Sequence, residues 1–408
     1  MVVVKGSRIA SAWVRDPGPH DRIQSRAKCD VTLDIAYDRE GNVARADARG
    51  QSSAHQPTGA DEGRGLPALV VGVVTCNSEE IIERTLAAIH AQDYPQVTVL
   101  VADNASTDRT RELVTEQFPA VGLIALAENN GPNPARNRIV ERAGDGLALI
   151  LDDDCIPTPG CFQRLVEAAL ARPEAAAFGA RVVYLSDPQR IQFDGALVHY
   201  LGEAVQLNGG RRVGDVADAT HEVTGLGAGC MLIRGAAWRE VGGFDEYLVF
   251  GREDGELVQR LLIAGHRAFV VPSAVVLHDY TPRALSAGFY QVRNRWLVML
   301  GLYRLRTLLL LAPALLVHEL AMAAFLLAQG EFGTYLRANL AVLRGLPQVR
   351  AKRRQVAAFR RVPDSAFLGC GAITVRAELL ERHGWRARVK RALDIFYAGY
   401  WRLVRRFV

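Results

Sequence analysis

The chain reads as an α/β protein built from stacked βα units around a parallel sheet. Short apolar runs recur at Leu69–Val74, Val97–Ala102, Val121–Leu126 and Leu147–Leu151, and runs this short and this continuously apolar suit strands buried on both faces. Amphipathic segments separate them, the pattern that alternating strands and helices leave in a sequence. Polar and acidic residues gather where the runs end, at Thr75-Cys76-Asn77-Ser78-Glu79, Asp103-Asn104 and Asp152-Asp153-Asp154. Ligands of open α/β sheets bind outside the carboxyl ends of the strands.

The elements follow in order. After the first strand, Glu80–Ala91 places Ile82, Leu86 and Ile89 on one helical face. The second strand ends in Asp103, where a carboxylate can accept the imide N–H of a uracil or thymine, while Ser106, Thr107 or Asp108 is explained by capping of the next helix, Thr110–Phe118. Helix Pro134–Ala143 carries Arg136 and Asn137, which suit either a phosphate-bearing nucleotide or an ordinary solvent-facing helix. The fourth strand opens directly into Asp152-Asp153-Asp154. Carboxylates crowded this closely repel one another unless a cation sits among them. Magnesium or manganese is the natural choice, taking one or two carboxylates and completing its shell with phosphate oxygens and water; a solvated turn or helix cap is the plain alternative. Further on, Glu253 and Asp254 precede an amphipathic helix, Leu257–Ala264, and His278 follows the apolar run Phe269–Leu277. An acid at a helix start also complements the macrodipole, and a lone histidine is often structural.

Several classes are excluded. A nicotinamide dinucleotide site needs a Gly-x-Gly-x-x-Gly turn after the first strand, whereas Thr75–Glu79 is polar and acidic, and Gly225-Leu226-Gly227-Ala228-Gly229 comes too late with the wrong spacing. The six cysteines form no Cys-x-x-Cys pair and suggest a reducing compartment rather than a disulfide framework. Met1–Val4 followed by Lys5 is too short an apolar run for a secretory signal, so the catalytic part is expected in the cytoplasm. The net charge of +5 is mild, with bases concentrated beyond Tyr303 and no zinc-finger or RNA-binding signature, which favours an anionic phospholipid surface and no nucleic acid.

The motifs LVVGVVTCN, VLVADNASTDRT, ENNGPNPARN, LILDDDCIP and GAGCMLIRGAAWREVGGFDEYLVFGREDGELVQRLLIAGHRAFVVPSAVVLHD, in this order from Leu69 to Asp279, resemble the family 2 glycosyltransferases, rhamnosyltransferase-like enzymes of bacterial cell-surface polysaccharides among them. Cys76 stands where that family usually carries an aromatic residue. The resemblance implies a GT-A, Rossmann-like nucleotide-sugar-binding domain with a mainly parallel mixed sheet. It places Thr75, Asn77, Glu79, Asp103 and Arg136 around the nucleoside, gives ribose and donor contacts to Asp152 and Asp153, makes Asp154 and His278 the ligands of a divalent cation (Mg2+ or Mn2+), and makes Asp254 the general base. Glu253, Trp238, Phe244 and Asp245, with residues Arg190 to Glu222, are expected on the acceptor side.

The domains expected are an N-terminal extension and linker over residues 1–66, the catalytic domain over 67–290, and a helical, basic, membrane-associating region over 291–408. Within the last, Thr307–Ala328 is about long enough to span a bilayer at ~1.5 Å per residue, but Pro313, His318 and Glu319 interrupt it, so an interfacial helical hairpin competes with a single span and with a packed soluble helical domain. The function expected is an inverting, metal-dependent glycosyltransferase at the cytoplasmic face of the membrane, moving a sugar from a nucleotide-diphosphate donor to a lipid-linked or polysaccharide acceptor. A polyprenyl-phosphate sugar synthase, a metal-dependent nucleotidyltransferase and a non-catalytic carbohydrate-binding scaffold are the alternatives.

Overall fold

The computed structural model describes residues 66–280, 288–373 and 384–408; the strand-like run Val31–Tyr37 and nearly all of the Gly/Ser/Ala/Pro-rich stretch before Pro67 lie outside them. The chain opens with β1 (Leu69–Thr75), α1 (Ile82–His90), β2 (Val97–Asp103), α2 (Thr110–Gln117), β3 (Gly122–Ala125), α3 (Pro132–Ala143) and β4 (Leu147–Asp152). These match the expected elements to within a few residues.

Parallel ladders set the order β4-β1-β2-β3, with Thr75 opposite Asp103 and Val74 opposite Asp152. The chain therefore runs from β1 outward through β2 and β3, then returns to the other side of β1. Helices leave the two sides of β1 in opposite senses, opening a crevice at its carboxyl end. Three of the acidic clusters read from the sequence sit on that rim.

Alternation along the strands explains why both faces are apolar. Leu69, Val71 and Val73 join Leu147, Leu149 and Leu151 in one core with Ile82, Leu86 and Ile89 of α1. Val74, Ala148 and Ile150 face the other core with Ile139 and Val140 of α3. Each buried aliphatic side chain contributes about 1.5–3 kcal/mol relative to exposure, so α1 and α3 are fixed by the sheet rather than by their own propensity. Gly72 is required where α3 crosses β1: a Cβ there would lie 2.2 Å from Cγ2 of Ile139. Any larger residue would push α3, and Arg136 with it, off the sheet.

The second half was not legible strand by strand. It comprises β5 (Cys155–Pro157), α4 (Cys161–Leu170), β6 (Ala175–Tyr184), β7 (Asp187–Phe193), β8 (Ala196–Val198), β9 (Ala204–Gln206), β10 (His221–Val223), β11 (Cys230–Arg234), α5 (Gly235–Val241), α6 (Glu253–Ile263) and β12 (Arg267–His278). β11 pairs antiparallel with both β4 and β6, β12 runs parallel to β6, and β5 and β7 attach antiparallel to β12 and β6. The sheet is thus mixed but mainly parallel. β8 and β9 form a separate ribbon.

Helices α7 (Gly288–Leu302), α8 (Leu305–Ala328), α9 (Phe332–Arg344), α10 (Leu346–Phe359) and α11 (Trp385–Val404) complete the chain. Among the described residues α8 is the helix long and apolar enough to cross a membrane. It is continuous through Pro313 and turns into α9 through a short connection, an αα-hairpin.

A polar chain ties this region to the catalytic half. Arg252, in left-handed backbone at φ +70°, precedes α6. Its guanidinium donates to the carbonyls of Gly202 (2.5 Å) and Gln291 (3.2 Å) and to Glu203 Oε2 (2.6 Å). Glu203 in turn lies 3.6 Å from Arg295 and 3.5 Å from His318, and Arg295 pairs with Glu319 of α8. Burial alone would raise the Glu203 pKa, but Arg252 foremost, with His318 and Arg295, holds it well below the usual carboxylate range.

Candidate active site

The crevice is lined first by the turns after β1 and β2, which are stitched together. Asn77 accepts from Thr107 N–H at 2.8 Å and donates its own N–H to Ser106 Oγ at 2.9 Å. Glu79 accepts from Arg109 N–H at 3.0 Å, and Asp108 accepts from Glu79 N–H at 3.2 Å and from Thr110 N–H at 3.1 Å. The side chains of Asn77 and Glu79, expected to face the nucleoside, thus hold the rim together, and Asp108 accepts from the first N–H of α2. Asp103 is fully buried; its Oδ2 accepts from Arg111 Nε (2.5 Å) and Ser106 N–H (3.1 Å). Its Oδ1 has no partner among the described residues. A buried carboxylate oxygen left open is costly unless a donor arrives from outside, which fits the imide N–H of a pyrimidine.

The acidic triplet splits three ways. Asp153 turns back beneath β1, where its Oδ2 accepts from Thr75 Oγ1 at 3.0 Å, from Ser78 Oγ and from Cys76 N–H. Burial, with the neighbouring charges of Asp154 and Asp152, pushes its pKa up to about 6 against those hydrogen bonds. Thr75 and Asp153, of which donor contacts are expected, are thus hydrogen-bonded to each other at the rim. Asp152, at the end of β4, faces Arg136 at 3.3 Å. Asp154 faces His278, Oδ2 to Nε2 3.2 Å.

His278 reaches this place because the end of β12 pairs with β5, bringing it opposite Cys155. Its Nδ1 lies 2.6 Å from Gln192 Oε1. The amide oxygen of Gln192 only accepts, so Nδ1 is the donor of that contact and the ring is oriented with Nε2 on the Asp154 side. Oriented imidazoles of this kind are typical of metal ligands. Asp154, Cys155 and His278 have ligand atoms within 4.8 Å of one another. Burial, then the charges of Asp152, Asp154 and Asp153, raises the Cys155 thiol well above its ordinary value, and its Sγ lies 3.7 Å from Asp154 Oδ1. One carboxylate oxygen and one imidazole nitrogen, with the rest of the shell open, suit manganese or magnesium bound to a diphosphate.

Arg136 joins the two acidic regions. Its guanidinium contacts Asp152 on one side and Glu253 Oε1, 3.5 Å away, on the other. Burial works against its charge, but Asp152, Glu253 and Asp254 outweigh that and hold its pKa above the ordinary value. Gly227, Ala228 and Gly229, set aside above as a misplaced dinucleotide loop, run between the same acids: Ala228 N–H donates to Asp254 Oδ2 at 3.1 Å, and a Cβ on Gly229 would lie 4.0 Å from Asp152 Oδ2. Asp254 also borders a cavity of about 290 Å3 whose other walls include Phe193, Val198, Leu226, Gln259 and Gln291.

The aromatic residues expected on the acceptor side are elsewhere. Trp238 (7% exposed) and Phe244 (2%) lie in the apolar core; Phe244 sits beneath Arg136, 5.7 Å from guanidinium carbon to ring centre, so it supports the arginine. Asp245 pairs with Lys352 at 2.9 Å, which holds its pKa down despite burial. Of the stretch Arg190–Glu222, residues Phe193 to Ala204 do supply cavity walls. Gln192 and Arg252 were missed; both act through partners distant in sequence, and nothing local marks them.

Glu253 is buried, and burial first, then the charge of Asp254, pushes its pKa up to about 7, with Arg136 opposing. Its protonated form is favoured by folding. The associated stability is fully present below about pH 4.5 and is lost as the pH rises through about 7, a change on the order of 3 kcal/mol. Glu253→Gln removes the titration, so its melting temperature should gain on the parent's steadily between pH 5 and 8; parallel curves would show that Glu253 does not titrate in this window.

An open α/β sheet with an imidazole–carboxylate pair, a buried carboxylate oxygen without a partner among the described residues and a second acid at one crevice is an arrangement that suits a nucleotide-sugar enzyme of the GT-A fold. Residues 70–239 match the sequence model of glycosyl transferase family 2. An N-acetylglucosaminyl-diphospho-decaprenol L-rhamnosyltransferase of Mycobacterium tuberculosis (strain ATCC 25618 / H37Rv) is 33% identical over 241 residues, covering 54% of this chain and 78% of the relative. A pre-mycofactocin glycosyltransferase of the same strain is 27% identical over 65% of this chain and 55% of its own length. A solved structure, the mannosyltransferase PcManGT from Pyrobaculum calidifontis in complex with GDP-Man and Mn2+, has 22% sequence identity and a TM-score of 0.42 over 82% of this chain and 86% of that one. The chain belongs to the family 2 glycosyltransferases and is a glycosyltransferase enzyme.

Proposed function

We propose that this glycosyltransferase moves a sugar, with inversion, from a nucleoside-diphosphate donor to a hydroxyl of a lipid-linked or polysaccharide acceptor at the cytoplasmic face of a membrane. The observation that carries it is Arg136, which draws the Asp152–Asp154 strand end and the Glu253–Asp254 helix start into one cleft. The lipid-linked choice is supported by the acceptor named for the mycobacterial relative and by the apolar helix α8.

Asp103 Oδ1 would accept the base N–H, and Asp154 and His278 would hold a divalent cation. Bound there, such a cation supplies Lewis-acid stabilisation for the charge that grows on the leaving diphosphate. Direct displacement forms the bond from acceptor oxygen to anomeric carbon as the bond to the diphosphate breaks. The acceptor proton goes to Asp254, whose place beside the 290 Å3 cavity lets it meet a hydroxyl from the side away from the triplet. Backbone N–H groups of Ala228 and Gly255 hold its two oxygens.

The test is a screen of nucleotide sugars with manganese and a polyprenyl-diphosphate sugar acceptor, followed by product analysis. Nucleoside diphosphate and a product of opposite anomeric configuration are expected. Pyrophosphate release would point to nucleotidyl transfer, retained configuration would overturn single displacement, and donor binding without turnover would leave only a carbohydrate-binding scaffold.

A further inference from the structure

The outer face of α8 is apolar from end to end. Leu305, Leu309, Leu316, Leu320 and Leu327 are each 61–67% exposed. Their spacing of about one or two turns makes one stripe, roughly 33 Å long at ~1.5 Å per residue. The opposite face, Thr307, Leu311, Ala314, Leu315 and His318, is buried. On α9, which packs on α8, Leu336, Leu340 and Leu343 are 47–61% exposed. Bases edge these stripes: Arg304 and Arg306 at the start of α8, Arg337 and Arg344 on α9, all exposed.

A helix of this length invites a transmembrane reading, and its packing opposes one. Tyr400 Oη donates to the carbonyl of Leu310 at 2.6 Å, His318 lies 3.5 Å from Glu203, and Glu319 takes Arg295 and Tyr335 Oη. From residue 307 to 319 the helix is held against the rest of the protein along about 18 Å, leaving about 14 Å beyond Glu319 at ~1.5 Å per residue. The hydrocarbon core is about 30 Å thick. Crossing it would strip Glu319 of its guanidinium partner and carry a carboxylate into lipid.

We infer that α8 lies flat in one leaflet, its leucine stripe and that of α9 immersed at the headgroup boundary and the flanking arginines on anionic lipid headgroups. An apolar ridge rimmed by arginines has the composition of an interfacial, single-leaflet anchor. A second copy of the chain is the other candidate to cover the stripe, but a two-fold contact would set like-charged rims against each other. The inference stands on the helix packing and not on the transfer chemistry.

The experiment uses the full chain added to preformed vesicles of phosphatidylcholine with and without about one-third phosphatidylglycerol, read by flotation. Binding is expected, several-fold stronger with the anionic lipid. The double variant Leu309→Asp/Leu316→Asp should lose flotation at least tenfold while its melting temperature and manganese-dependent donor binding stay unchanged, since both side chains point outward. Cysteines introduced singly as Arg304→Cys and Gln329→Cys, one at each end of α8, should both gain label from an impermeant maleimide added outside the vesicles. Label at only one end would establish a crossing helix and overturn the inference. So would a chain that ignores vesicles but changes from dimer to monomer in the double variant, or that ignores vesicles as a monomer. Donor binding measured on the same samples keeps these failures separate from any failure of the proposed transfer.

Discussion

Asp254→Asn should fold, bind its nucleotide sugar with near-parental affinity and turn over about 10^2–10^4-fold more slowly, the usual cost of removing a positioned general base. The amide keeps the size of the carboxylate but cannot take the acceptor's proton. Parental Asp254 also accepts N–H bonds from Ala228 and Gly255, and an amide has one oxygen for two donors. A modest fall in melting temperature is therefore expected, since an unmade buried bond costs about 1–3 kcal/mol. The diagnostic is the split: kcat drops while donor KM and donor affinity hold. Parental turnover in this variant would remove Asp254 from the chemistry.

Asp154→Ala should abolish the contribution of manganese to donor binding. Titration calorimetry of donor with and without the ion reads it directly: the parent should gain at least tenfold from manganese and the variant nothing. His278→Ala should behave alike, and Gln192→Ala should fall between, with metal affinity about 10–100-fold weaker, because outer partners orient a ligand without replacing it. This graded series separates a metal centre from an acid–histidine ion pair. If Asp154→Ala keeps the full manganese enhancement, the cation binds elsewhere.

The first half of the sheet was legible because parallel strands buried on both faces leave unbroken apolar runs, and because the place where such strands end is also where ligands sit. That Asp103 and Asp152 close their strands, with Asp154 just beyond, could be read from the apolar runs before them. The triplet's division of labour could not, since three identical residues in a row do not reveal that Asp153 folds back under Thr75 and Ser78 while its neighbours face outward. β6 begins Ala175-Ala176-Ala177 and carries no strand-like pattern there; it is a strand because β11 and β12 flank it. Trp238 and Phe244 show the converse limit: aromatic character marks a sugar platform and a core residue equally, and only packing distinguishes them. Gln192 became visible only when β12 delivered His278 to it.

Arg252 is chained through Glu203 and Arg295 to Glu319, so the start of the helix bearing Asp254 and the middle of α8 belong to one rigid strut. Buried ions that lose a partner are expensive, about 3–5 kcal/mol, and such a strut resists stretching. A shift of α8 relative to the sheet would therefore have to break this chain before it could leave the start of α6 in place.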